Sequence, residues 1–126
     1  LASSLVYAIL QIITGFYPPP VQNFLSFLLV ILLDYIFAFG VLGLGNFFAK
    51  GIKNQKLKYG LGAGIVVFLR YICHILSGIV IWGVYAPEGQ SVLAYSVLYN
   101  GSYMVPEIVI TTVVCFLIVP FIKKAK

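Results

Sequence analysis

The chain has 126 residues, of which 62% are hydrophobic and only 9% charged, and its mean hydropathy is +1.08. A soluble domain usually carries about 25% charged residues to cover its surface, so this composition excludes a water-solvated globule and leaves lipid as the solvent for most of the exterior. The net charge of +5 does not point to nucleic acid, because the lysines form two clusters: Lys50, Lys53, Lys56 and Lys58 in one loop, and Lys123, Lys124 and Lys126 at the C-terminus. That is a positive-inside pattern.

Helix breakers divide the chain into four apolar segments within a single transmembrane domain, residues 1–126, predicted to be all-α and integral to the membrane. The first, Leu1 to Phe16, would be about 24 Å long as a helix, against about 30 Å of hydrocarbon. It is expected to be the end of a longer helix, since the only methionine is Met104 and no basic flank precedes it. Tyr17-Pro18-Pro19-Pro20 ends it, because consecutive prolines cannot continue a helix. The second segment is predicted over residues 21–49, the third over 57–85 and the fourth over 90–122, with Ala86-Pro87-Glu88-Gly89 as the last turn. Each of these three is long enough to span a bilayer with tilt. Two spans separate the lysine loop, residues 50–58, from the lysine tail, so both are expected on the cytoplasmic side. Gly60, Gly62 and Gly64, with Gly40, Gly43 and Gly45, are small residues that let helices approach closely; packing within the chain is the expected use. Pro106 is expected to kink the fourth helix.

Polar and titratable residues inside these segments carry the functional signal, because each costs several kcal/mol in lipid unless it is paired or lines a cavity. Counted inward from the outer turns at about 1.5 Å per residue, Asp34 lies roughly 20 Å deep, His74 about 16 Å, Asn100 about 14 Å, Tyr95 about 7 Å and Trp82 about 4 Å. Arg70 and Glu107 share a deeper level, at about 22 and 24 Å. Arg70, His74, Gly78 and Trp82 are spaced four apart, so neighbours share a helix face, and Ser77 and Gly78 leave a gap beside His74 that would suit a ligand of two small rings. If Arg70 pairs with Glu107, Asp34 has no partner in the chain, and such a carboxylate would protonate or attract a cation. The aromatic faces of Tyr35, Trp82 and Tyr95 favour the cation. Taken singly, His74 reads as a helix-packing residue and Trp82 as an interfacial belt residue. Together, on three segments at overlapping depths, they predict one pocket for a small, aromatic, positively charged ligand.

No catalytic set emerges. Neither a nucleophile elbow, a P-loop nor paired carboxylates are present, and one histidine with two cysteines in apolar context does not make a zinc site. Cys73 and Cys115 read as buried small hydrophobes. No cofactor is expected, and any ATP hydrolysis would occur on another chain.

The run Leu33-Asp34-Tyr35, then Arg70-Tyr71-x-x-His74, Ser77-Gly78, Trp82, Tyr85-Ala86, and Ala94-Tyr95-Ser96 to Tyr99-Asn100-Gly101 resembles the thiamine-specific S-component of energy-coupling factor (ECF) transporters, the ThiT/YuaJ family. The resemblance covers nearly the whole chain, and its specific part runs from Arg70 to Asn100. It implies a six-helix bundle of which four helices are visible, with the chain beginning partway through the third. It also implies a bacterial plasma-membrane subunit that captures thiamine outside, docks on a membrane coupling subunit and two ATPase subunits, and topples to release the vitamin inside. By position it implies that Asp34 faces the cation with Tyr35 beside it. His74 and Trp82 would pack on the ligand rings, Gly78 would permit close approach, Tyr95 and Asn100 would bond the polar edge, and Arg70 would occupy a basic position. Asp34 stands where the family has glutamate and Arg70 where it has lysine, so charge is kept while reach and donor geometry change. Two other readings stay open: an S-component for another vitamin, and a small proton-coupled exporter of aromatic cations.

Overall fold

A computed structural model describes residues 1–124; Lys126 of the C-terminal lysine cluster lies outside them. The chain is an all-α membrane protein, with three helices long and apolar enough to cross a bilayer and one shorter apolar helix. Helix α1, Ala2–Gly15, ends where Phe16 turns extended (φ −65°, ψ 124°), two residues ahead of Pro18, and the proline run cannot continue a helix. Helix α2, Phe24–Phe48, begins later than the sequence predicts. Its start is set by Asn23, whose side chain accepts from the Ser26 backbone N–H at 2.8 Å and so satisfies one of the orphan donors of the first turn.

Helix α2 is not uniform. Residues Ile31–Phe37 wind as a π-helix and Val41–Leu44 as a 3₁₀ turn. A π stretch widens the helix and turns its side chains away from the ordinary helical register, and such stretches concentrate at functional sites; this one carries Asp34 and Tyr35.

Helix α3, Gln55–Val80, is capped by Asn54 and stops short of the predicted Tyr85. Trp82–Tyr85 instead form a separate 3₁₀ turn. Helix α4, Val92–Lys124, starts at Ser91, whose hydroxyl accepts from the Ala94 N–H at 3.2 Å. It runs as one continuous helix through Pro106, so the expected kink does not break it.

Close approach at glycines sets the packing order α1, α2, α3, α4. A Cβ on Gly62 would lie 2.7 Å from the Gly45 carbonyl oxygen of α2, and one on Gly64 would lie 2.5 Å from Thr112 Oγ1 of α4. The glycine row on α3 therefore faces two neighbours within the chain. Near the same end Lys56 sits over the Phe116 ring at 5.8 Å. The lysine loop thus lies beside the C-terminal half of α4, at the end opposite the Tyr17–Pro20 and Ala86–Gly89 turns. The buried core gathers on the α1–α2 side around Ala8, Val30, Tyr35, Ala38 and Phe39, with Ile81 packing in from the end of α3. Outward-facing residues such as Ile13, Phe24 and Leu98 are exposed, as lipid-facing positions are.

Candidate functional site

All four helices converge on one cavity of about 520 Å³ at the end bearing the proline turn. The end of α1 and its turn supply Gln11, Gly15 and Tyr17; α2 supplies Val30, Asp34, Tyr35 and Phe39. His74, Gly78, Trp82 and Tyr85 come from α3 and its 3₁₀ turn, and Tyr95, Tyr99, Asn100 and Tyr103 from α4. The volume falls within the 300–1,000 Å³ typical of small-molecule sites.

Asp34 is the centre of the site. Its Oδ2 accepts from Ser77 Oγ at 2.6 Å and from Trp82 Nε1 at 3.0 Å, and its Oδ1 lies 3.0 Å from His74 Nδ1. The sequence-based expectation of a carboxylate without partners is therefore corrected. Three side chains meet the carboxylate, and Ser77, which looked like a gap-former, is one of them. Charge-assisted hydrogen bonds of this kind contribute about 1.5–3 kcal/mol each. Ser77 and Trp82 are neutral donors, and among the described residues no lysine or arginine pairs with Asp34.

Around this anion stand aromatic rings. Tyr17 and Trp82 lie 5.4 Å apart, and Trp82 stacks on Tyr85 at 6.4 Å. Across the cavity Tyr95 stacks on Tyr99 at 5.7 Å, while Tyr103 meets Tyr99 and His74 edge-on. Tyr35 plays a different part from a wall: its hydroxyl donates to Gly15 O at 2.9 Å and accepts from the Tyr17 N–H at 3.0 Å. It ties the end of α1 to α2 and satisfies two backbone groups that the broken helix would leave open.

Asn100 joins α4 to α3. Its amide donates to Ser96 O at 2.9 Å and to His74 O at 3.3 Å, and its Oδ1 accepts from the Tyr103 hydroxyl. At Gly78 a Cβ would lie 2.0 Å from Ser96 Oγ, so α3 and α4 touch backbone to side chain beside the cavity. Seven of the eight residues singled out from the sequence line the cavity: Asp34, Tyr35, His74, Gly78, Trp82, Tyr95 and Asn100.

Arg70 does not. Its Nη1 pairs with Glu107 Oε1 at 2.5 Å, and its guanidinium stacks on Phe39 with the central carbon 4.6 Å from the ring centroid. Phe39 lines the cavity, so Arg70 sits behind the wall. The four-residue row drifts about 40° per step, which carries its far member off the face of the others.

Sequence reasoning passed over Tyr17, Phe39, Tyr99 and Tyr103 as pocket residues. The signal for two of them was present, because Tyr95, Tyr99 and Tyr103 repeat every four residues and share a helix face. Among the described residues no group of three or more His, Cys, Asp or Glu side chains could hold a metal ion.

The family model described as Thiamine transporter protein (Thia_YuaJ) matches residues 1–126. The chain belongs to this family. It is 36% identical to the thiamine transporter ThiT of Bacillus subtilis (strain 168) over 129 aligned positions, covering 94% of this chain and 63% of that protein. It is 35% identical to the thiamine transporter ThiT of Lacticaseibacillus paracasei over 92 positions, covering 66% of this chain and 46% of that protein. The chain thus spans less than two thirds of the length of these curated relatives. No solved structure matches it.

Proposed function

We propose that this family member binds thiamine and serves as the substrate-capturing S-component of an ECF-type importer. One observation carries the reading: a carboxylate that accepts from Ser77 and Trp82 sits at the base of a cavity walled by tyrosine and tryptophan rings. Thiamine is a two-ring molecule with a permanent positive charge, which needs a counter-ion and aromatic faces, and the related thiamine transporters carry that substrate in their names. Asp34 is the counter-ion. Trp82 and the Tyr95–Tyr99 pair flank the rings, and Gly78 leaves room beside His74.

The lysine loop, residues 50–58, is assigned to the cytoplasm by its charge, which turns the cavity mouth outward. The chain transports rather than catalyses. Coupling to a membrane subunit and two ATPases follows from the family resemblance, and the energy for release comes from those partners.

Trp82 lines the cavity, so titrating purified full-length protein with thiamine changes its fluorescence if the reading holds. A dissociation constant of micromolar or tighter is expected. Competition by riboflavin, biotin or pyridoxine at equal strength, or thiamine binding weaker than micromolar, would remove thiamine as the substrate.

A further inference from the structure

We infer that Ser77 is a positioning residue that locks the carboxylate of Asp34 and the indole of Trp82 into a single recognition unit. Ser77 is completely buried, so it acts through its neighbours. Its hydroxyl does two things at once: it donates to Asp34 Oδ2 at 2.6 Å and accepts from Trp82 Nε1 at 3.1 Å, while the indole N–H also reaches Asp34 Oδ2 at 3.0 Å. Three side chains close a triangle, and of the three only the Ser77 hydroxyl supplies both a donor and an acceptor.

The local backbone is arranged around this triangle. A serine inside a helix ordinarily bonds back to the carbonyl four residues earlier, yet this one bonds across to α2. The Ser77 carbonyl accepts from the Ile81 N–H at 2.8 Å at the end of α3. The chain then turns through Trp82–Tyr85, which lets the indole fold back over the residue five positions earlier. Gly83 has no room for a side chain, since a Cβ there would lie 2.7 Å from Val92 Cγ1, so α4 holds the turn in place. The contact between Gly78 and Ser96, with Ser96 Oγ donating to Ile75 O at 2.9 Å, fixes the Ser77 backbone from the other side. The carboxylate is thereby pinned in one orientation, and the ring is pinned in one plane beside it. Preorganisation of this kind raises affinity by removing the cost of ordering the groups on binding.

The inference deepens the thiamine reading of the same site and rests on it for its ligand. A double-mutant cycle on full-length protein tests it, with Ser77→Ala, Asp34→Asn and the pair, each titrated with thiamine by calorimetry. Ser77→Ala is expected to weaken binding about tenfold in the native background. In the Asp34→Asn background it should weaken binding less than about twofold, because the group it orients has lost its charge. Equal losses in both backgrounds would overturn the inference and assign Ser77 to packing alone.

A second readout needs no ligand. Time-resolved fluorescence anisotropy of Trp82 should show faster local indole motion in Ser77→Ala than in the native protein, with Ser77→Cys, a weak donor of similar size, in between. Unchanged indole motion would overturn the inference even where thiamine binds as proposed. Failure of the native protein to bind thiamine would remove the functional reading, and the anisotropy comparison would still decide the role of Ser77.

Discussion

Replacing Gly78 with alanine perturbs the site through one methyl group whose surroundings are known in detail. The new Cβ would lie 2.0 Å from Ser96 Oγ, 2.8 Å from Ser96 Cβ and 3.3 Å from Asn100 Nδ2. Rotating the serine hydroxyl relieves only the first contact, and it gives up the bond to Ile75 O. The Cβ–Cβ contact is about 1 Å inside normal van der Waals separation, so α3 and α4 must part. Overpacking of this kind costs about 1–3 kcal/mol. Alanine is otherwise the better helix former by nearly 1 kcal/mol, which leaves an expected net loss of about 0–2 kcal/mol.

Parting the helices also moves His74 and Trp82 away from Tyr95 and Asn100, which line the same cavity from α4. Thiamine affinity should therefore fall at least tenfold, or about 1.4 kcal/mol. Thermal unfolding in detergent and calorimetric titration measure the two effects. Adding Ser96→Gly removes both clashing atoms and should restore most of the affinity, at the cost of a glycine within α4. If Gly78→Ala matches the native protein in both stability and affinity, the close helix crossing at the site is refuted.

Two other perturbations test the frame that holds the cavity. Arg70→Met leaves the charge of the half-exposed Glu107 without its partner inside a spanning segment, which should cost about 2.5–3.5 kcal/mol; Arg70→Met with Glu107→Gln should recover most of that, as read from detergent melting curves, and a double variant no more stable than the single would show that the pair does not act as one. Tyr35→Phe deprives the Tyr17 N–H and the Gly15 carbonyl of their shared partner and should destabilise by about 1–3 kcal/mol. Its mark should be faster hydrogen exchange at the end of α1, with exchange in α4 unchanged.

Helix number and type were legible from hydropathy and proline alone, because a spanning segment must satisfy its own backbone. Most pocket residues were legible for the same reason, since polar groups such as Asp34, His74 and Asn100 stand out against an apolar background. Details that depend on relations between segments were not. The π winding of Ile31–Phe37 leaves no mark in a run of apolar residues, yet it sets the direction of Asp34. Ser77 reads as a small residue, and only the approach of α2 makes it a donor to Asp34. Arg70 belongs to the same four-residue row as His74 and Trp82, but helical drift and a partner on α4 take it behind Phe39. The end of α3 at Val80 rather than Tyr85 reflects the fold-back of Trp82, a tertiary bond that overrides an apolar sequence able to continue as helix.

The most direct measurement is the thiamine affinity of Asp34→Asn in full-length protein, which keeps the size of the side chain and removes its charge. At least a tenfold loss relative to the native protein is the predicted result, for then the ionised group at the cavity floor is what holds the cation. Native affinity in this variant would contradict the account.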